Sequence, residues 1–294
     1  MRLCAIDVGT NTVVSVVADV VDRQLEVVAD EERFARLGQG VDASGRLAPE
    51  AIDRVLDRLG QAQQTAERLG AEQTVIAATS ASRDAANVGE LVARVRRELG
   101  LEYRVISGVE EAALSFRGAL ALRPELEAAC VVDIGGGSTE VVAGTRAGGV
   151  AFRTSLDVGS VRLTERHVRS YPLAEATQEA IRSDVRAALA SVDRAQVDGL
   201  PLVATGSVAI WIAGADGHAT RAEVARWRDR IAGRTPAEVL ALAPDRMRGR
   251  EDVVAASVLI LETVLDAFGA DAALSTRGAL RHGLALQTAE ASEG

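Results

Sequence analysis

Two segments of the chain have similar sequences, and this internal repeat constrains the fold more strongly than any other feature. The first is Leu3-Cys4-Ala5-Ile6-Asp7-Val8-Gly9-Thr10-Asn11-Thr12, and the second is Ala129-Cys130-Val131-Val132-Asp133-Ile134-Gly135-Gly136-Gly137-Ser138-Thr139. Each contains a buried-strand pattern, an aspartate, one apolar residue and a glycine turn that leads into hydroxyl or amide side chains. Because the two aspartates lie about one domain length apart, the repeat predicts two similar domains.

Both halves then show the same order of predicted elements. Two strands follow each glycine turn, at 13–18 and 25–29 in the first half and at 141–143 and 150–156 in the second. Helical spacing of apolar residues comes next, as at Ile52, Val55 and Leu59. The predicted helices are 49–69, 84–99, 173–192, 222–231 and 251–268, with others opening near 207 and 278, and the predicted strands are 73–79, 102–106, 201–205 and 272–275.

This alternation of strands and helices predicts an α/β fold of two duplicated domains with a cleft between them. We place the domains at residues 1–122 and 123–294, because Pro124 interrupts the pattern near the join. A single domain with a chance repeat is the alternative.

The glycine turn of the second repeat is the strongest functional signal. Gly135, Gly136 and Gly137 allow a bulky anion to approach the backbone, and Ser138 adds a hydroxyl donor. Asp133 and Glu140 bracket the turn with carboxylates, which suit a hard divalent cation such as Mg²⁺. A glycine hairpin with incidental acidic residues is the alternative.

Two further turns carry the same type of groups. In the first repeat Thr10, Asn11 and Thr12 can hold phosphate oxygens, and Asp7 can reach a metal ion directly or through water. A third turn, at Gly206 and Ser207, ends a strand and opens a helix, where backbone N–H groups favour an anion. Plain polar turns remain the alternative reading of both.

Glu111 and Arg83 are the candidates for catalysis and substrate binding in the first half. Ser107 and Glu110 have the spacing of a capping box, which gives Glu110 a structural explanation but not Glu111. Glu111 could act as a general base on water or be a solvated surface residue. Arg83, at a strand–helix junction, could bind phosphate in bidentate fashion or pair with Asp84.

Composition excludes several classes of protein. All 33 basic residues are arginine, so there is no P-loop lysine and no Schiff-base lysine. A net charge of −9 argues against nucleic acid or an anionic membrane as partner. No run of apolar residues is long enough to span a membrane, and no signal peptide is visible. Cys4 and Cys130 lie in apolar stretches that predict buried thiols. We therefore expect a cytoplasmic protein.

Six ordered motifs, at 5–12, 78–87, 107–112, 133–140, 155–165 and 277–283, make the chain resemble the exopolyphosphatase / guanosine pentaphosphate phosphatase (Ppx/GppA) family. This family lies within the actin, sugar kinase and chaperone ATPase superfamily, so the resemblance implies two actin-like (ribonuclease H-like) domains. It further implies that Glu111 is the catalytic base, that Asp133 lies at the metal and phosphate, and that Arg83 and the two loops bind phosphate. Longer members carry extra C-terminal helical domains, so the chain looks like a short form.

We therefore expect an exopolyphosphatase that uses Mg²⁺ (or Mn²⁺) to release orthophosphate from inorganic polyphosphate. Guanosine pentaphosphate 5′-phosphohydrolysis is the nearest alternative, because it shares every motif. A small-molecule kinase and a non-catalytic polyphosphate or nucleotide sensor are alternatives of other classes. From the family we also expect a homodimer.

Overall fold

The computed structural model describes residues 1–293. Its first segment, Met1–Pro124, contains a five-stranded sheet and the helices that cover it. The elements are β1 (Arg2–Val8), β2 (Thr12–Val21), β3 (Gln24–Phe34), α1 (Val41–Ser44), α2 (Pro49–Arg68), β4 (Gln73–Ala78), α3 (Ser80–Asp84), α4 (Val88–Leu99), β5 (Tyr103–Val105) and α5 (Gly108–Ala121). The strand order is β3-β2-β1-β4-β5, with β1, β2 and β3 antiparallel to one another in turn and β1, β4 and β5 parallel.

The second unit, Glu125–Arg277, repeats this arrangement. Its elements are β6 (Ala128–Ile134), β7 (Thr139–Thr145), β8 (Gly149–Leu156), α6 (Ser160–His167), α7 (Glu175–Leu189), α8 (Arg194–Val197), β9 (Leu202–Thr205), α9 (Ser207–Ile212), β10 (His218–Thr220), α10 (Arg221–Ala232), α11 (Pro236–Leu242), α12 (Pro244–Met247), α13 (Val254–Phe268) and β11 (Ala272–Ser275). The order β8-β7-β6-β9-β11 matches that of the first sheet, and β10 adds an antiparallel edge strand. The duplicated α/β fold is therefore confirmed.

The last helix, α14 (Leu280–Glu293), belongs to the first unit. It packs against α5, where a Cβ on Gly118 would lie 2.0 Å from the carbonyl oxygen of Ala279. The sequence-based boundary, which placed all of 123–294 in the second domain, is wrong for the segment that begins at Gly278. The repeat period located the join near Pro124 but gave no signal for a helix that returns to the first unit.

Each sheet is covered by apolar side chains, as the helical periodicity predicts. In the first unit, α2 begins with Pro49 at its first turn and buries Ile52, Val55 and Leu59 against the face of β1 that carries Cys4 and Ile6. The opposite face packs against α5 and α14. In the second unit, α7 and α13 cover the face of β6 that carries Cys130, Val132 and Ile134. Both cysteines are free and buried, and burial raises the pKa of each thiol.

Most predicted elements appear within a few residues of their expected ends. The helix expected at 84–99 begins only at Val88, as α4, because Ala85 takes an extended conformation, and Asp84 instead ends the separate short helix α3. The short elements α1, α3, α6, α8, α11, α12 and β10 were not predicted. Across residues 1–293, every helix falls short of the length or apolar character that crossing a bilayer requires.

Candidate functional site

The predicted site residues of the first unit lie at one edge of its sheet. The parallel strands β1, β4 and β5 end at Val8, Ala78 and Val105, and their carboxyl ends meet at the same edge. Open α/β sheets bind ligands at this edge. Thr10, Asn11 and Thr12 follow β1, Arg83 follows β4, and Glu111 follows β5, so the topology brings all three groups to it.

Arg83 and Glu111 form a part-buried ion pair. Arg83 Nη1 donates to Glu111 Oε2 at 2.5 Å and to the carbonyl oxygen of Ile106 at 3.2 Å. The side chains are 22% and 10% exposed, respectively, so Glu111 is not a solvated surface residue. The ion pair that the structure shows for Arg83 is with Glu111 and not with Asp84, the alternative that the sequence left open.

The N-terminus of α5 positions Glu111. Ser107 Oγ accepts a hydrogen bond from the Glu110 N–H at 3.1 Å, which confirms half of the predicted capping box. The other half is wrong, because the Glu110 carboxylate pairs with Arg104 instead. Glu111, in the same first turn, projects inward and is 7% exposed.

The two glycine turns have the same geometry. Gly9 N–H donates to the Thr12 carbonyl at 2.9 Å, and Gly135 N–H donates to the Ser138 carbonyl at 3.0 Å. Each turn links the first strand of its sheet to the second. The sequence repeat is thus a repeat of backbone conformation.

In each unit, the segment after the third strand donates backbone hydrogen bonds to the carbonyls of this turn. In the first unit the Ala35 and Arg36 N–H groups donate to the Asn11 carbonyl, and the Gly38 N–H donates to the Thr10 carbonyl. Gly38 is necessary here, because a Cβ at this position would lie 2.2 Å from Thr10 Cγ2.

In the second unit the first turn of α6 plays the same role. The Ser160 N–H donates to the Gly135 carbonyl, and the N–H groups of Val161 and Arg162 donate to the Gly136 carbonyl. The side chain of Arg162 adds a hydrogen bond from Nε to the Gly137 carbonyl at 2.7 Å. Gly159 permits this contact, because a Cβ there would lie 2.5 Å from backbone atoms of the glycine turn.

These contacts orient the N–H groups of both turns. In a trans peptide the N–H points opposite to the C=O. Because the carbonyls of residues 135–137 point toward α6, the N–H groups of Gly136, Gly137 and Ser138 point away from it, as an oxyanion site requires. Residues 35–38 and 159–162, which support the turns, were not predicted as site residues. A glycine after the third strand of each half is the sequence signal that could have identified these segments.

The remaining predicted residues of the second unit lie next to this turn. Asp133 and Glu140 face each other across β6 and β7, and Glu140 is 1% exposed and accepts a hydrogen bond from Ser155 Oγ at 2.7 Å. Gly206, in the left-handed region at φ +89°, precedes Ser207 at the start of α9, which is only one and a half turns long.

The predicted metal ligands are Asp7, Asp133 and Glu140. Asp7 lies near the end of β1 in the first unit, and the other two lie together in the second. Nowhere in residues 1–293 do three or more His, Cys, Asp or Glu side chains form a group that could hold a metal ion. The metal site therefore stays a prediction.

Two matched sheets with equivalent glycine turns define a duplicated α/β protein of the actin-like class. The family model of the Ppx/GppA phosphatases matches residues 16–291, and the chain belongs to this family. The Aquifex aeolicus member of the Ppx/GppA family has a similar structure, with a TM-score of 0.79, 25% identity and coverage of 100% of this chain and 99% of that one.

Two curated relatives are similar over part of the chain. Exopolyphosphatase 2 of Mycobacterium tuberculosis is 44% identical over 184 residues, which are 58% of this chain and 56% of that protein. Guanosine-5′-triphosphate,3′-diphosphate pyrophosphatase of Vibrio cholerae is 36% identical over 169 residues, 58% of this chain and 34% of the relative. The matched segments thus span little more than half of the first relative and a third of the second.

Proposed function

We propose that this protein is an exopolyphosphatase, which hydrolyses the terminal phosphoanhydride of inorganic polyphosphate and releases orthophosphate. The observation that carries the proposal is the part-buried Arg83–Glu111 pair at the carboxyl edge of the first sheet. Membership of the phosphatase family and the similarity to an exopolyphosphatase support it.

In this proposal Glu111 is the general base. Its carboxylate accepts a proton from a water molecule as the water oxygen bonds to the terminal phosphorus. The bridging P–O bond breaks, and the shortened chain leaves with the electron pair as a phosphate anion. The hydrogen bond from Arg83 holds the Glu111 carboxylate in place before water attacks.

Arg83 has donors left for substrate. Both hydrogen bonds that its side chain makes within residues 1–293, to Glu111 and to the Ile106 carbonyl, use Nη1. Arginine offers five N–H donors in a planar fork. We assign the Nε and Nη2 donors to a phosphate of the substrate, which they can bind without breaking the pair with Glu111.

The two glycine turns supply the remaining anion contacts. We assign the N–H groups of Gly136, Gly137 and Ser138 to phosphate oxygens in the second unit, and Thr10, Asn11 and Thr12 to the same role in the first. Gly206 and Ser207 are assigned as further contacts. Since the chain has no lysine, backbone N–H groups and arginine carry this function.

The donor set beside the second turn fits a hydrated Mg²⁺ or Mn²⁺. Two carboxylates, Asp133 and Glu140, face each other there, and Mg²⁺ in proteins prefers oxygen ligands and retains several waters. We propose that Asp133 and Glu140 hold the ion in the second unit, and that Asp7, near the end of β1 in the first unit, is also a metal ligand. When bound, the ion would offset negative charge on the phosphate oxygens.

Guanosine pentaphosphate is the second candidate substrate, because the relative from V. cholerae is named for the hydrolysis of that nucleotide. Both reactions break a terminal phosphoanhydride, so the same residues serve either one. Kinetics of orthophosphate release with Mg²⁺ separates them, using polyphosphates of defined length and the nucleotide in parallel. We expect a higher kcat/KM for polyphosphate. A higher value for the nucleotide would reverse the assignment, and binding without turnover of either would make the protein a sensor.

We further propose that the protein is a cytoplasmic homodimer. Multi-angle light scattering at micromolar concentration is expected to give twice the chain mass of 30.8 kDa. The chain mass itself would contradict the dimer.

A further inference from the structure

One face of the second sheet carries a row of polar side chains that crosses four strands. Asp133 on β6 is in register with Glu140 on β7 and with Thr205 on β9, and Glu140 is in register with Ser155 on β8. Residues in register point to the same face of a sheet, about 5 Å from strand to strand. The apolar neighbours Val132, Ala204 and Val141 lie on the opposite face, in the core under α7 and α13.

The first unit has no such row. Asp7 occupies the position equivalent to Asp133, but its partners in register are Val14 on β2 and Ala77 on β4. The duplicated fold therefore does not require Glu140 and Thr205 to be polar. Polar side chains at these two positions are specific to the second unit. Burying a polar group costs free energy, and the fold of the sheet does not account for that cost here.

Thr205 stands out within the row. It is 1% exposed, and its Oγ1 has no hydrogen-bond partner within residues 1–293. A buried hydroxyl in this state destabilises the protein until a water or ligand satisfies it. The backbone next to it is packed tightly against β6, because a Cβ on Gly206 would lie 2.6 Å from the carbonyl oxygen of Ile134.

We propose that Thr205 is a further binding residue: its hydroxyl hydrogen-bonds a water in the hydration shell of the divalent cation attracted by Asp133 and Glu140. The inference rests on the proposed function and deepens it. Glu140 is itself fixed by Ser155 Oγ at 2.7 Å, so the row presents two carboxylates and one available hydroxyl on a rigid strand framework. Groups that act through a bound water or ligand typically change metal affinity by 10- to 100-fold when removed.

The test measures Mn²⁺ binding by electron paramagnetic resonance on the full chain, without substrate. Thr205→Val is expected to weaken Mn²⁺ binding about 10-fold, and Thr205→Ser to retain it within about 2-fold. Because the hydroxyl has no hydrogen-bond partner among the described residues, Thr205→Val is expected to leave the Tm of the metal-free protein unchanged or raised.

Thr263→Val is the matched control. Thr263 is also buried, but its Oγ1 donates to the Leu259 carbonyl at 2.7 Å. This variant is expected to lower the Tm and to leave Mn²⁺ binding unchanged. Wild-type Mn²⁺ affinity in Thr205→Val, or no Mn²⁺ binding by the wild type, would overturn the proposal. Neither outcome depends on phosphate release, which tests the proposed function separately.

Discussion

At the scale of single residues, the buried polar groups set the chemistry and the stability together. Arg83 and Glu111 stabilise each other, and removing one partner of this part-buried pair leaves a charge without compensation. Substitutions that keep shape and hydrogen bonding are therefore the ones that separate catalysis from folding.

His282 shows how a buried residue can make stability depend on pH. It is fully buried on α14, Nδ1 accepts the Ala279 N–H at 3.3 Å, and Nε2 has no partner in the described part of the chain. Burial, with repulsion from Arg281, lowers the pKa of His282 to about 3. The unfolded chain therefore takes up the proton near pH 6.5, while the folded protein does not, and stability falls as the pH drops below 6.5.

Between pH 7 and pH 5 this effect is expected to remove about 2 kcal/mol of stability, at up to about 1.4 kcal/mol per pH unit. Urea unfolding of the wild type and of His282→Asn across this range measures it. The wild type should lose stability more steeply than the variant, even though the variant starts from a lower value. Equal slopes would show that His282 is protonated in the folded protein.

At the scale of elements, the segments that follow β3 and β8 fix the glycine turns. Each places a glycine against the turn and donates N–H groups to its carbonyls, so the turn's own N–H groups are oriented before any substrate binds. Pre-oriented donors stabilise developing charge without reorganisation during the reaction.

Gly159→Ala tests this orientation. Its Cβ would lie 2.5 Å from backbone atoms of Gly136 and Gly137, so the turn must shift. We expect kcat/KM for phosphate release to fall at least 10-fold. The control is Gly233→Ala in the same unit, whose Cβ meets nothing within 4 Å and whose φ is −82°. Full activity in Gly159→Ala would contradict the role given to α6.

Elements with long periodic patterns could be predicted from the sequence, and those set by tertiary contacts could not. The spacing of Ile52, Val55 and Leu59 was sufficient for α2, and the aspartate–glycine repeat was sufficient for the duplicated sheets. The role of Gly38 was hidden, because it depends on a contact with Thr10, 28 positions away in the chain. The role proposed for Thr205 could not be predicted for the same reason, because Asp133, its partner in register, belongs to another strand.

At the scale of the whole molecule, the chain returns to its first unit at the end. The α5–α14 contact depends on glycines on both sides: a Cβ on Gly278 or Gly283 would lie 2.1 or 2.0 Å from carbonyl oxygens of α5. Because α5 also carries Glu111, the C-terminal helix supports the helix that holds the proposed base. The net charge of −9 opposes the approach of the proposed polyanionic substrate, so in the proposed function local groups such as Arg83 supply the attraction.

Gly118→Ala is expected to destabilise the protein by about 3 kcal/mol, because its Cβ would meet the Ala279 carbonyl at 2.0 Å. Gly89→Ala, also in a helix but with nothing within 4 Å, is expected to be neutral or to stabilise by up to about 1 kcal/mol. Urea unfolding measures both. Equal stability of the two variants would show that α14 does not pack on α5 as described.

The central claim is that Glu111 is the base of a phosphohydrolase, and two neighbouring glutamates provide a matched test. Glu110 pairs with Arg104 and is one-third exposed, whereas Glu111 is buried against Arg83. The measurement is the rate of orthophosphate release from polyphosphate with Mg²⁺ by the wild type, Glu111→Gln and Glu110→Gln, each shown to be folded by circular dichroism. We expect Glu111→Gln to lose about 10²- to 10⁴-fold in kcat, while Glu110→Gln stays within about 2-fold of the wild type. A folded Glu111→Gln that releases orthophosphate at the wild-type rate would contradict the claim.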